Sequence, residues 1–304
     1  MGEPSVEALY EQVRTAVPTS DSAAGEVPDT LAQVAPGIRV LALRTPTLPP
    51  AAHTNTYVVG PDRGPQLVID PGSPYPDQQS VLERAVSREA DAGRPLGMVV
   101  LTHHHGDHVG GAVALAEAFG VPIAAHANTA RRLASRVPVT RELADGEVLD
   151  GGITCVFTPG HADGHLCFEL GGASVVGDMV AGLGTILIDP VEGDMAHYLA
   201  SLGTLLARPA SARLLPAHGP VIADGPAKLR EYIAHRTMRE DRVLAALREV
   251  GARDASAAEL VPSAYADTPK LLWPLAERSL RAHLDKLVRE GRAREVVPGR
   301  WTAG

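Results

Sequence analysis

Ligand-type side chains crowd into one short stretch, Leu101-Thr102-His103-His104-His105-Gly106-Asp107-His108-Val109-Gly110-Gly111. The apolar run Met98–Leu101 before it reads as a buried strand, and Val109–Phe119 after it carries a helical pattern. In extended chain alternate side chains share a face, so His103 and His105 converge while His104 points away, a residue for packing or support. Asp107 and His108 follow where the chain turns into the helix, adding one oxygen and one nitrogen. Imidazoles and carboxylates at that spacing suit a metal, zinc first, with iron or manganese admissible in one position.

The same arrangement recurs. Three more times an apolar strand ends in a Gly/Pro-rich loop that opens on a ligand-type residue: His161 in Pro159-Gly160-His161, Asp178 in Gly177-Asp178, and His218 in Ala217-His218-Gly219. Loops on a rigid scaffold are where catalytic residues collect. Asp70, before Pro71-Gly72, is either a turn residue or a group that orients a ligand from behind. A metal ion held by such donors lowers the pKa of bound water toward neutrality, making hydroxide available as a nucleophile. The sequence has neither a Gly-x-Ser-x-Gly nucleophile motif nor a Gly-x-x-x-x-Gly-Lys phosphate loop. The expected activity is hydrolysis.

The elements that must carry these loops follow from the apolar patterning. Strands are expected at Ile38–Leu43, Asn55–Val59, Gln66–Asp70, Met98–Leu101, Pro122–Ala125, Ile153–Thr158, Leu166–Leu170, Ala173–Val176 and Ala212–Leu215. Helices are expected at Asp77–Ala92, Asn128–Ser135 and Met195–Ala207. Strands interleaved with helices in two similar halves predict two sheets packed face to face with helices outside. Residues 1–35 read as an extension with a short helix (Val6–Ala16) and a polar loop, residues 36–224 as the main domain, and residues 225–304 as a helical appendage. In the last, helices at Ala227–Val250, Ser256–Tyr265 and Leu271–Glu290 precede a ribbon, Ala293–Val297 with Trp301, which is the order of a winged helix.

The net charge of −8 is carried by the main body, while the appendage is mildly basic, so the chain as a whole is not built to attract nucleic acid. The final helix mixes Arg281, Lys286 and Arg289 with Asp285 and Glu290, which favours packing on the main domain over a nucleic-acid groove. No run approaches the ~20 apolar residues that span a bilayer, so no membrane partner is expected. Two cysteines, Cys155 and Cys167, make no disulfide framework and read as core residues, and with no leader visible at Met1–Glu7 the expected location is cytoplasmic.

The set Thr102-His103-x-His105-x-Asp107-His108, Pro159-Gly160-His161, Gly177-Asp178 and Ala217-His218-Gly219 resembles the metallo-β-lactamase superfamily. Thr54-Asn55-Thr56-Tyr57-Val58-Val59-Gly60, Gly164-His165 and Tyr232-Ile233-x-His235-Arg236-x-x-Arg239-Glu240 are similar to its β-lactamase-like protein 2 group. The resemblance implies an α/β fold, a four-layer αββα sandwich with a small C-terminal winged-helix-like domain, and two zinc ions at one sheet edge. It assigns His103, His105 and His161 to the first metal, Asp107, His108 and His218 to the second, and Asp178 to a bridge between them. A water shared by the two metals would then supply the hydroxide, and Asp107 beside it would hold its orientation and shuttle its proton, the catalytic role the resemblance implies. Asp70 and His165 would support these ligands from behind.

Human members of the group cleave single-stranded RNA, and fungal relatives are thioesterases that release polyketides. The resemblance therefore implies a small or carrier-linked ester, thioester or lactone as substrate, with an RNA phosphodiester as the alternative. Tyr232, His235 and Arg239 fall on one helix face, which would bind the substrate's carboxylate or phosphate, or else be a solvated face with internal ion pairs.

Overall fold

The structure, a computed structural model, describes residues 11–13, 15, 30–251 and 253–304. Of the helix expected over Val6–Ala16, residues 11–13 and 15 are helical and the remainder lies outside the described residues. Two sheets form the body. The first takes its strands in chain order, β1 (Ala32–Ala35), β2 (Ile38–Arg44), β3 (His53–Val59), β4 (Gln66–Ile69), β5 (Leu96–Val100), β6 (Ile123–His126) and β7 (Arg141–Leu143). Its pairs are antiparallel up to β4 and parallel from there. The second runs β12 (Arg213–Pro216), β11 (Ala173–Gly177), β10 (Leu166–Leu170), β9 (Ile153–Phe157) and β8 (Val148–Leu149), parallel only between β11 and β12.

Alternation along the strands builds the layers. Tyr57, Ile69, Met98 and Val100 of the first sheet meet Ile153, Cys155, Leu166, Phe168 and Val175 of the second in one dry layer. The intervening residues point outward. Val58, Val68, Val99 and Leu101 pack under α1 (Pro76–Asp91), α3 (Ala112–Phe119) and α4 (Ala127–Leu133). On the far side, Val156, Cys167, Val176 and Leu214 pack under α5 (Met195–Leu206). The result is the αββα sandwich. Because Cys155 pairs with Phe168 across the strands, Cys155 and Cys167 lie on opposite faces of their sheet. Both are buried, and burial raises each thiol to about 12, as a core role requires.

Strands β4 and β5 run parallel, as do β11 and β12, and β9 runs the same way as β11 because both are antiparallel to β10. The loops bearing Asp70, the histidine stretch, His161, Asp178 and His218 therefore leave the sandwich at strand carboxyl ends. Across the two sheets, Tyr57 Oη donates to Pro216 O at 2.7 Å, and Asn55 donates to Ala217 O, Pro216 O and Gly219 O, at 2.7, 2.9 and 2.9 Å. These bonds fix the turn that presents His218.

Three local expectations differ from the fold. Ala32–Ala35 lies in the presumed extension but pairs with β2 as an edge strand. Between the strands expected at Pro122–Ala125 and Ile153–Thr158, where none other is expected, lie the short strands β7 and β8. The helix expected from Val109 is split into a single turn, α2 (Gly106–Val109), and α3, because Gly110 and Gly111 lie against the Asp70–Pro74 turn. A side chain at Gly110 would meet Gly72 O at 2.6 Å, and the Gly111 amide donates to Pro71 O at 2.8 Å.

Beyond β12, helix α6 (Gly225–Val250) belongs to two cores. Leu229 and Tyr232 near its start pack with α5 and the second sheet. Val243, Leu244 and Leu247 near its end pack with α7 (Ala257–Ala264), α8 (Trp273–Arg289) and Trp301. A capping box between Ser256 and Glu259 starts α7, and the antiparallel ribbon of β13 (Ala293–Val297) and β14 (Arg300–Ala303) closes a winged helix. Among the described residues no helix is long and apolar enough to cross a membrane.

Candidate metal centre

The histidine stretch is anchored by Asp70, at the end of β4. Its Oδ1 accepts the Thr102 amide at 2.7 Å, and its Oδ2 accepts the Thr102 hydroxyl at 2.6 Å and His108 Nδ1 at 2.7 Å. Asp70 is buried and is the one described non-glycine residue with positive φ, at 52°. That strained backbone turns its carboxylate back toward β5.

Five imidazoles and two carboxylates then converge. In a first group, His105 Nδ1 lies 2.9 Å from His103 Nε2 and 3.0 Å from His161 Nε2, and the latter two are 3.3 Å apart. Tetrahedral zinc with nitrogen ligands at 2.0–2.1 Å sets donors about 3.3 Å apart, so the spacing is that of a ligand set drawn slightly inward. In a second group, His218 Nε2 lies 3.6 Å from Asp107 Oδ2, and His108 Nε2 lies 4.0 Å from Asp107 Oδ1. Asp178 stands between them. Its Oδ2 is 3.5 Å from His161, while its Oδ1 is 3.5 Å from His108 and 3.3 Å from His218.

The outward ring nitrogens are tied down, which points a lone pair of each ring inward. His103 Nδ1 donates to Thr102 Oγ1 (2.9 Å), His161 Nδ1 to Leu187 O (2.9 Å), His218 Nδ1 to His53 O (3.0 Å) and His105 Nε2 to Glu192 Oε1 (2.9 Å). His165 sits behind the ligands. Its Nδ1 donates to Thr158 Oγ1 at 2.8 Å and its Nε2 accepts the Asp178 amide at 3.2 Å, which fixes the backbone at Asp178, between the two groups.

Electrostatics divide the rings. Burial, reinforced by neighbouring rings, pushes His103 well down and His161 to about 4. Burial also opposes charge on His108 and His218, but the carboxylates of Asp178 and Asp107, with Asp70 beside His108, outweigh it and raise both. Against the burial that would raise them, the same rings hold Asp107 and Asp178 below the usual carboxylate range. Two buried atoms at the centre, His108 Nε2 and Asp178 Oδ1, have no hydrogen-bond partner. Orphans of this kind are costly. They face each other across 3.5 Å, and once a cation takes the place of the His108 ring proton both present a lone pair to it, so the residues fit divalent metal ions.

Glu192 carries no sequence signal, since it lies in an irregular loop with no periodicity. It accepts His104 Nε2 at 2.7 Å as well as His105, and although burial would raise its carboxyl, these hydrogen bonds hold it far below the usual range. His104 thus turns away from the ligand cluster and supports it through Glu192. The structure does not bring Tyr232, His235 and Arg239 into the cluster as an anion site. Tyr232 Oη accepts the Ala181 amide at 2.9 Å and donates to Gly184 O at 3.1 Å. Arg239 reaches the other way, to Asp267 at 2.7 Å and Ala264 O at 3.1 Å, stacked on the Tyr265 ring. His235, half-buried between them, is pushed down to about 4 by burial and by Arg236 and Arg239. The helix face was legible as a face, but packing turns it onto neighbouring protein.

Comparison with known proteins agrees with this geometry. Residues 49–218 match the metallo-beta-lactamase superfamily and residues 256–301 the beta-lactamase associated winged helix domain. Lactamase-like protein adaB of Aspergillus niger is 36% identical over 259 residues, 74% of this chain and 75% of that protein. An atrochrysone carboxyl ACP thioesterase of Aspergillus chevalieri is 33% identical, over 71% of this chain and 69% of its own. The Drosophila melanogaster beta-lactamase-like protein 2 homolog is 29% identical, over 79% and 84%. In fold, a beta-lactamase domain protein from Burkholderia ambifaria superposes with a TM-score of 0.78 at 22% identity, covering 96% of this chain and 98% of that one. With its sandwich, its winged helix and its histidine and aspartate cluster, the chain belongs to the metallo-β-lactamase superfamily and is a hydrolase.

Proposed function

We propose that this hydrolase uses a dinuclear centre to cleave a small or carrier-linked thioester, ester or lactone. The observation that carries the reading is the Asp178 carboxylate, with one oxygen turned to each group of ligands. His103, His105 and His161 would hold the first ion and Asp107, His108 and His218 the second, with zinc the ion that suits this donor set best and iron or manganese admitted in one position. When bound, such a pair supplies Lewis acidity and makes water a competent nucleophile near neutral pH.

The chain's own groups do the rest. Asp107 Oδ2, 3.6 Å from His218, accepts the proton of the attacking water and returns it to the leaving sulfur or oxygen. Asp70, His165 and Glu192 keep the ligand rings and Asp178 in place.

A thioester is favoured because one of the relatives at 33% identity is an acyl-carrier thioesterase. Single-stranded RNA, which the resemblance to the human members of the β-lactamase-like protein 2 group implies, is the alternative. Against it, three basic groups of α8 are engaged in ion pairs: Arg278 with Asp189, Lys286 with Glu240 and Arg289 with Asp194.

The test is turnover of a chromogenic thioester, a lactone and single-stranded RNA by purified, metal-analysed protein, by chelated protein, and by His103→Ala and Asp178→Ala. Thioester or lactone hydrolysis should be abolished by chelation, return with Zn²⁺, and fall at least 100-fold in both variants. RNA cleavage lost in both variants, without acyl turnover, would overturn the acyl reading.

A further inference from the structure

We infer that the winged-helix unit helps build the metal centre, and that Arg278 of α8 is a positioning residue acting through Asp189. The inference rests on the two-group centre proposed above. It starts from the segment between β11 and α5. Residues 178–194 contain no helix or strand, yet they supply three parts of the site. Asp178 stands between the ligand groups, the Leu187 carbonyl accepts His161 Nδ1 at 2.9 Å, and Glu192 accepts His105 Nε2 at 2.9 Å. Two of the three rings of the first group are thus aimed by a loop without regular hydrogen bonding.

The C-terminal helices hold that loop from outside. Tyr232 of α6 bonds the backbone at Ala181 and Gly184. Arg236, 2% exposed, donates to Ile186 O and, at 3.2 Å, to Thr185 Oγ1, with its guanidinium over the Tyr198 ring. Arg278 grips Asp189 with two hydrogen bonds, Nη2 to Oδ1 at 2.8 Å and Nε to Oδ2.

Asp189 is 4% exposed and sits midway between Leu187 and Glu192. Its Oδ1 also accepts the Val191 amide at 2.9 Å, and its carbonyl accepts the Gly193 amide at 2.7 Å. The turn carrying Glu192 is therefore wound around Asp189, whose negative charge is compensated by a side chain from the appended domain. Removing Arg278 leaves a buried carboxylate unpaired. The least costly relief is for Asp189 to swing to solvent, carrying Leu187 O and Glu192 away from His161 and His105. Asp107, His108 and His218 hang on other loops and keep their supports. The first ligand group should weaken alone.

The test is Zn²⁺ binding to the metal-free full-length chain, by competition with a chromophoric chelator, with the visible spectrum of the Co²⁺ form as a second readout. The wild-type chain should bind two ions. In Arg278→Ala and in the near-isosteric Asp189→Asn, one affinity should fall about 10- to 100-fold, as for other groups that orient ligands, with the other within twofold. One part of the Co²⁺ spectrum should change with it. Lys286→Ala is the control: it lies on the same helix but pairs with Glu240 and Glu290, away from the loop, and should leave both affinities unchanged. If Arg278→Ala does not fold, Asp189→Asn decides. Two unchanged affinities in a folded variant, or an equal loss at both, would overturn the clamp while leaving the metal centre standing. A wild-type chain that takes up no Zn²⁺ would overturn the metal centre and the clamp with it.

Discussion

Asp70 and His108 meet at 2.7 Å, carboxylate to ring nitrogen, though 38 positions separate them. The contact sets which nitrogen of His108 faces the ligand cluster, since Nδ1–H is spent on Asp70 and Nε2 is left buried without a partner. The same carboxylate accepts the amide and hydroxyl of Thr102, so one side chain ties β4 to the whole histidine loop.

An isosteric change therefore has a specific consequence. In Asp70→Asn a single oxygen replaces two, and the amide nitrogen faces donors it cannot accept from. His108 loses its tautomer, and Zn²⁺ affinity of the second ligand group should drop about 10- to 100-fold with far-UV circular dichroism unchanged. Asp70→Ala should do the same and also lose at least about 1–3 kcal/mol in denaturant unfolding, because it leaves the Thr102 and His108 donors buried without a partner and tolerates a φ of 52° less well than Asp or Asn. Equal Zn²⁺ affinity in wild type and Asp70→Asn would show that the aspartate merely closes a turn.

The histidines and aspartates that converge were legible because they follow strand ends, where apolar runs stop abruptly. The strand Leu166–Leu170 was legible to the residue, since four of its five residues are apolar and glycine turns bound it on both sides. Ala32–Ala35 was not, since Ala-Gln-Val-Ala is too short and too weakly apolar to carry a strand pattern and only the partner strand makes it β. Glu192 and Leu187 were silent for a related reason. Their roles come from where an irregular loop lands, and a backbone carbonyl has no side-chain identity to read. The face of Tyr232, His235 and Arg239 was visible, but what it faces is decided by the tertiary packing of α6 between two cores.

Close packing behind the site gives a second prediction. Gly177, with φ of 47°, ends β11 just before Asp178. A Cβ there would lie 2.6 Å from His165 Nε2 and 3.0 Å from Thr102 Cβ and Oγ1. Both neighbours are fully buried, so neither can yield cheaply. Gly177→Ala should cost about 1–3 kcal/mol in urea unfolding from overpacking. It should also displace His165 from the Asp178 amide, lowering kcat more than it raises KM. A variant with wild-type stability and turnover would mean that the β10–β11 edge relaxes freely.

Acid should act first on the appended domain, through Glu240. This carboxylate of α6 is 5% exposed and accepts Lys286 Nζ at 2.7 Å and Arg292, with His283 Nδ1 3.9 Å away. Burial would raise its pKa, but His283, Lys286 and Arg292 outweigh it and hold the carboxyl at about 2, against 4.5 for an ordinary glutamate. With the folded pKa depressed, the stabilisation is complete above the unfolded value of 4.5 and disappears as pH falls from there toward 2. Urea unfolding followed by the near-ultraviolet signal of Trp273 and Trp301, both packed in this core, should show that loss in the wild type. Glu240→Gln should be about 1–3 kcal/mol less stable at pH 7, the range for hydrogen bonds to charged groups. It should approach the wild type as pH falls toward about 2 and meet it only below that, where the protonated carboxyl and the amide carry the same charge. Parallel stability curves across that window would place the acid sensitivity elsewhere, the Arg289–Asp194 pair being the next group of the same sign, its carboxyl also held at about 2.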